Sequence, residues 1–191
     1  MLVCAGLACT ARPSAAQPGA SQPFSTTTLA AGASAGVRAP ALDSLWSDGT
    51  GGQLRAAFPF YRGEVEGGLS VHAHAALDAD VPDYWAAYAF AGWGGALVRL
   101  GPVRASASGR VGLYWMRFDE PSDVRQRSPS ETEMAFAPAL RLHVPLGGGW
   151  DAFAEGHQLV VLTAVRLEMT QLTAGVRHTL QTPGWLREVL R

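Results

Sequence analysis

Apolar and polar positions alternate with a period of two through most of the chain beyond residue 24, the pattern of strands whose two faces meet different surroundings. In EVEGGLSVHAHAAL, Glu64 to Leu77, one face carries Val65, Gly67, Leu69, Val71, Ala73 and Ala75. The other carries Glu64, Glu66, Ser70, His72 and His74. The same rhythm predicts eight strands, at about Thr26–Arg38, Gln53–Tyr61, Glu64–Leu77, Tyr84–Leu100, Val103–Phe118, Glu133–Leu146, Trp150–Leu159 and Thr170–Leu180. No long segment of helical period occurs before the last residues.

Three short connections test these strands, because a slipped register sets apolar residues opposite polar ones. A turn at Arg62-Gly63 pairs Phe60 with Val65, Phe58 with Gly67 and Leu54 with Val71. The other face then pairs Arg55 with Ser70 and Gln53 with His72. Gly101-Pro102 suits a type II′ turn, which pairs Val98 with Ala105, Phe90 with Leu113 and Tyr88 with Trp115 and sets Trp93 against Arg110 as a cation–π pair. Gly147 to Gly149 set Leu146 opposite Trp150, Leu142 opposite Ala154 and Arg141 opposite Glu155. The other connections are longer: PALDSLWSDGTGG, DADVPD, DEPSDVRQRSPSET and a stretch near VVLTAVRLEM. Tight turns thus alternate with longer loops, so all turns fall at one end of the molecule and all loops at the other.

That asymmetry belongs to outer-membrane barrels, with short periplasmic turns and longer extracellular loops. The expected fold is an all-β, closed, eight-stranded antiparallel up-and-down transmembrane barrel, since open edges are not tolerated in lipid. The apolar face then looks out to the bilayer. Phe58, Phe60 and Trp150 form interfacial aromatics at the turn end, and Tyr88 and Trp115 at the loop end. The polar face forms a lumen network of Arg55, Glu66, His72, His74, Arg110, Arg141, His143, Glu155 and His157. Eight strands leave room for side chains but for no wide aqueous pore, so the lumen is expected to be plugged. A soluble periplasmic lipocalin-like barrel that binds a ligand shows the same alternation with inverted polarity and stands as the alternative.

Composition narrows the functions. Hydrophobic residues make up 48% of the 191 residues, yet no run approaches the ~20 apolar residues of a membrane helix. A net charge of -1 gives no electrostatic footprint for nucleic acid. The N-terminal MLVCAGLACTARPSAAQ reads as a signal peptide over residues 1–16, with small residues before Gln17. A short lead follows over 17–23, then the barrel over 24–180 and a periplasmic tail, with a short helix, over 181–191. Both cysteines, Cys4 and Cys9, fall in the signal segment, so the exported chain has no thiol for a disulfide or a metal.

With these strands and this loop asymmetry, the chain resembles the small eight-stranded outer-membrane barrels of the OmpA/OmpX type, over about residues 24 to 180. The resemblance is architectural and implies outer-membrane localisation. Such barrels commonly end on an aromatic residue of the last strand, whereas here QLTAGVRHTL is followed by QTPGWLREVLR.

No cofactor is expected. His72 and His74, two apart on one strand, have a spacing seen in zinc sites, and His143, His157 and Glu155 share their face, but no spacing brings three of them together. A lipid-modifying enzyme would use Ser70, His72 and Glu66. Same-face neighbours on one strand lie about 7 Å apart, outside hydrogen-bond reach, and no nucleophile elbow is present. The expected partners are the lipid bilayer and lipopolysaccharide, with a protein partner at the loops (Asp119 to Thr132, and Ala39 to Gly52 around Trp46) or at the tail. There Trp185, Leu186, Val189 and Leu190 form one apolar face.

Overall fold

The computed structural model describes residues 22–38, 45–119, 130–162 and 167–190. The signal segment, most of the lead, residues 39–44 and the loop 120–129 with Arg125 and Arg127 lie outside the described residues. Eight strands run in chain order: β1 (Thr26–Arg38), β2 (Thr50–Phe60), β3 (Gly63–His74), β4 (Tyr84–Leu100), β5 (Val103–Phe118), β6 (Ser130–Gly147), β7 (Trp150–Val161) and β8 (Leu167–Gln181). Each pairs antiparallel with the next, and β8 returns to β1, closing the barrel. A short helix α1, Gly184–Val189, follows the last strand.

All three tight hairpins form, with register differences that matter unequally. Between β2 and β3 the turn is Tyr61-Arg62, with Tyr61 at φ 52, so Phe58 pairs with Val65, Leu54 with Leu69 and Gln53 with Ser70. Gly63 belongs to the strand, paired with Phe60, and must be glycine because a Cβ there would run into the Gly94 carbonyl and the Trp93 ring. The displacement is two residues, an even number, so every side chain keeps its expected face.

Between β6 and β7, Arg141 pairs with Glu155 and Leu142 with Ala154, while an irregularity at Leu146 sets Gly147, not Leu146, opposite Trp150. Gly148 and Gly149 then occupy the turn with φ 60 and 82, the positive values of a type I′ turn.

Between β4 and β5 the Gly101-Pro102 turn pairs Val98 with Ala105, but a bulge at Leu97 shifts the rest by one residue. Phe90 pairs with Gly112, Tyr88 with Tyr114 and Trp93 with Gly109. An odd shift reverses faces, so Tyr88 and Phe90 are buried inside and Trp93 is exposed outside.

Two interfacial assignments change as a result. Tyr88 is a lumen residue, and the loop-end outer position beside Trp115 belongs to Trp85, whose ring meets that of Trp115 edge to face at 4.7 Å. Trp93 joins Phe58, Phe60 and Trp150 on the outer surface toward the turn end, so it forms no pair with Arg110. The Arg110 guanidinium lies instead over the Phe90 ring, 4.7 Å from its centroid. Packing explains the reversal. Inward glycines stand beside large inward neighbours: Phe90 reaches over Gly68, and a Cβ on Gly92 would come within 3.0 Å of the Arg110 Cγ. With Trp93 inside, an indole would compete for the space that Arg110 fills.

Candidate functional site in the lumen

The lumen is layered along the barrel axis. Toward the turn end it contains an ionic cluster contributed by β2, β3, β5, β6 and β7. Glu155 accepts hydrogen bonds from Arg55 Nη1 at 2.8 Å, from Arg110 Nη1 and Nη2 at 2.6 and 2.8 Å, and from Arg141 Nε at 2.6 Å. Glu66 accepts from Arg110 Nε at 2.7 Å, Arg141 Nη2 at 3.1 Å and Ser108 Oγ at 2.9 Å, with Arg55 a further 3.5 Å away. All five charged side chains are at most 5% exposed. Alternation points each of them inward, and paired registers bring Arg141 directly opposite Glu155. The other contacts cross the lumen. Burial of such charges is tolerable only because nearly every oxygen finds a donor.

The histidines disperse among different partners. His72 Nε2 lies 2.8 Å from Ser34 Oγ, His157 Nε2 lies 2.9 Å from Gln171 Oε1, and His143 Nε2 lies 3.0 Å from Ser106 Oγ. His74 stacks on Tyr84 with ring centroids 4.4 Å apart, and its Nδ1 lies 3.3 Å from the Ser47 carbonyl oxygen. Among the described residues no three His, Asp or Glu side chains are arranged to hold a metal ion. Ser70 forms no hydrogen bond to His72 there, so the triad weighed from sequence is not assembled; Ser34, on another strand, takes that position.

The loop half of the lumen contains a large apolar cluster, a feature that the alternation did not disclose. Tyr84, Ala86, Tyr88, Phe90, Tyr114, Met116, Leu159, Val161 and Met169 form one buried cluster. Trp46 closes it from the first long loop. Its ring meets Tyr84 edge to face at 5.2 Å, and its Nε1 donates to the Pro82 carbonyl at 2.8 Å. Leu45 to Ser47 hold that position by pairing with Ala75 to Leu77 as a short ribbon above the barrel. At the turn end, Arg177 Nε donates to Asp151 Oδ2 at 2.7 Å, a cross-strand pair legible in retrospect from the parity of both residues.

The outer face is the complement. On β5 the outward positions from Val103 to Trp115 carry no charge, and Arg117 ends the run. That run is about 40 Å long at ~3.3 Å per residue, and a strand tilt of ~40° reduces it to about 30 Å of height.

No protein-family model matches the sequence, and no curated protein matches it. Solved structures do. Neisserial surface protein A superposes with a TM-score of 0.65 at 13% identity, over 83% of this chain and 99% of that one. Ail, the attachment invasion locus protein of Yersinia pestis, gives 0.55 at 11% identity over 82% and 99%. The outer membrane protein OprG of Pseudomonas aeruginosa gives 0.55 at 9% identity over 83% and 97%. The chain has the fold of the small eight-stranded outer-membrane barrels. At these identities the likeness is one of architecture, and nearly the whole length of each of these barrels is matched.

Proposed function

We propose that the protein is an integral outer-membrane barrel, exported by its N-terminal segment, with a plugged lumen and a structural or surface-interaction role carried by its loop end. The observation that carries this reading is the sorting of its two faces. The outward run of β5 is uncharged and about the height of the ~25 Å apolar band of such barrels, the outer face has aromatics toward both ends, and every buried charge lies inside. A soluble ligand-binding barrel would need the reverse. The ionic cluster and the Trp46-capped aromatic layer support a plugged lumen, and a lumen organised for mutual pairing supports a non-enzymatic role.

Cell fractionation should place the protein in the outer membrane, and unboiled samples should migrate differently from boiled ones on gels. The purified barrel should show no large steady conductance in planar bilayers. A freely soluble, detergent-independent monomer would overturn the membrane reading, and a large conductance the plugged lumen.

Lipopolysaccharide is the partner that the outer leaflet offers, with Arg125 and Arg127 of the third long loop as its phosphate contacts. A protein partner at the same loops or at α1 is the second reading, favoured at the tail by Trp185 and Val189, which stand 68% and 76% exposed. Deleting residues 120 to 131 should abolish lipopolysaccharide binding while leaving gel mobility heat-modifiable. Retained binding would move the contact elsewhere.

A further inference from the structure

The turn end of the lumen carries cationic groups that its carboxylates do not match. Arg99 on β4 pairs directly with Arg104 on β5, and Arg104 pairs with His143 on β6, so the three form one continuous row across adjacent strands. By parity they share the inward face of Ser106 and Arg110, with His143 buried and Arg99 and Arg104 exposed at the mouth. Like charges directly opposite one another on a sheet are destabilising, with Cβ atoms only ~5 Å apart. No carboxylate offsets them: Asp151 is taken by Arg177 at 2.7 Å, and Glu66 by Arg110, Arg141 and Ser108. Glu64, the other acid at this end, lies on β3 opposite Gly94, before β4 runs on past β3 toward Arg99. Arg99 reaches only the Gly101 carbonyl, at 3.3 Å, and Arg104 forms no ion pair among the described residues.

His143 provides an independent sign. It is only 4% exposed, its Nε2 lies 3.0 Å from Ser106 Oγ, and its Nδ1 is buried with no hydrogen-bond partner. When the Ser106 hydroxyl donates to Nε2, Nδ1 carries the proton and is a buried donor without a partner. It is one of eight such buried side-chain atoms among the described residues, each of which calls for a partner such as water or a bound group, and it is the one on the residue directly opposite Arg104.

We propose that Arg99, Arg104, His143 and Ser106 form an oxyanion site at the turn-end mouth of the barrel, which takes a phosphate group. Guanidinium groups hold phosphate oxygens through paired charge-assisted hydrogen bonds, the imidazole Nδ1–H adds a neutral donor, and Ser106, whose one hydroxyl hydrogen goes to Nε2, fixes that tautomer. The row faces the lumen rather than the belt, so the ligand is a soluble phosphate compound and not a lipid headgroup.

The test is a titration of the folded barrel in neutral maltoside micelles with inorganic phosphate, at constant ionic strength so that screening does not mimic binding. Arginine Nε–H resonances and the His143 ring serve as reporters. Saturable shifts at Arg99, Arg104 and His143 are expected. Arg99→Gln combined with Arg104→Gln should weaken binding at least tenfold, whereas Arg62→Gln, in the exposed β2–β3 turn, should leave it unchanged. Shifts that grow linearly without saturation, or an equal loss in Arg62→Gln, would overturn the site. His143→Asn should weaken binding several-fold if it folds, as judged by gel mobility. If it does not fold, the exposed arginine pair decides alone. Phosphatidylglycerol added to the micelles should not compete, and competition would overturn the soluble source in favour of a headgroup.

Discussion

Glu155→Gln is expected to destabilise the barrel by about 3–5 kcal/mol, the cost of breaking a buried ion pair by removing one partner. The size follows from the inventory of the cluster, in which Arg55, Arg110 and Arg141 share Glu66 and Glu155. Loss of the Glu155 charge leaves three buried guanidinium groups around one carboxylate. Arg141→Met acts in the opposite direction on the balance, because it leaves two of each sign. It should therefore cost clearly less than Glu155→Gln, although both delete the same cross-strand pair. The double variant should be less destabilised than the sum of the two single ones, with a coupling of roughly 0.5–3 kcal/mol as found for residues of one network. Denaturant unfolding of the micelle-embedded protein, followed by tryptophan fluorescence and gel mobility, measures all three. Additive losses, or Arg141→Met costing more than Glu155→Gln, would show that the five charges do not act as one unit.

Phe90→Ala should cost about 3–5 kcal/mol, the range for removing a buried aromatic side chain from a packed interior. Phe90 is 7% exposed, reaches over Gly68, stacks near Tyr88 with centroids 5.3 Å apart and lies beneath the Arg110 guanidinium. Its loss opens a cavity directly beside the ionic cluster. Trp93→Ala, three residues on, removes a larger ring from an outer position that is 55% exposed, and should cost less than half as much. An unbulged β4 predicts the reverse order, with Trp93 inside against Arg110. The same unfolding measurement ranks the two variants, and a larger loss for Trp93→Ala would remove the bulge at Leu97 from the account of this hairpin.

The alternation of Val65 to Ala75 against Glu64 to His74 was enough to assign both faces of β3, because a period of two has only two settings. The Tyr61-Arg62 turn left those assignments intact although it displaced the pairing, since an even slip preserves parity. The closed barrel was equally legible, from three short turns alternating with longer loops and from the absence of an edge that lipid would accept. Arg141 opposite Glu155 could be read because Gly148 and Gly149 lie close by and the Leu146 irregularity touches only the pair next to the turn.

β4 was different for a physical reason. In YWAAYAFAGWGG, aromatic and small residues occupy both parities, so polarity does not distinguish an inward Phe90 from an inward Trp93. The choice is made by volume: Gly68, Gly92 and Gly112 open space for Phe90 and Arg110 only when they meet them across strands that are distant in sequence. The convergence of Arg55, Glu66 and Arg110 on Glu155, the Ser34–His72 contact, the Trp46 cap and the row Arg99–Arg104–His143 have the same origin. Strand parity determines that a side chain points inward. Its height and azimuth depend on register summed around the closed barrel, where one bulged residue reverses every face before it, and only the tertiary structure sets that sum.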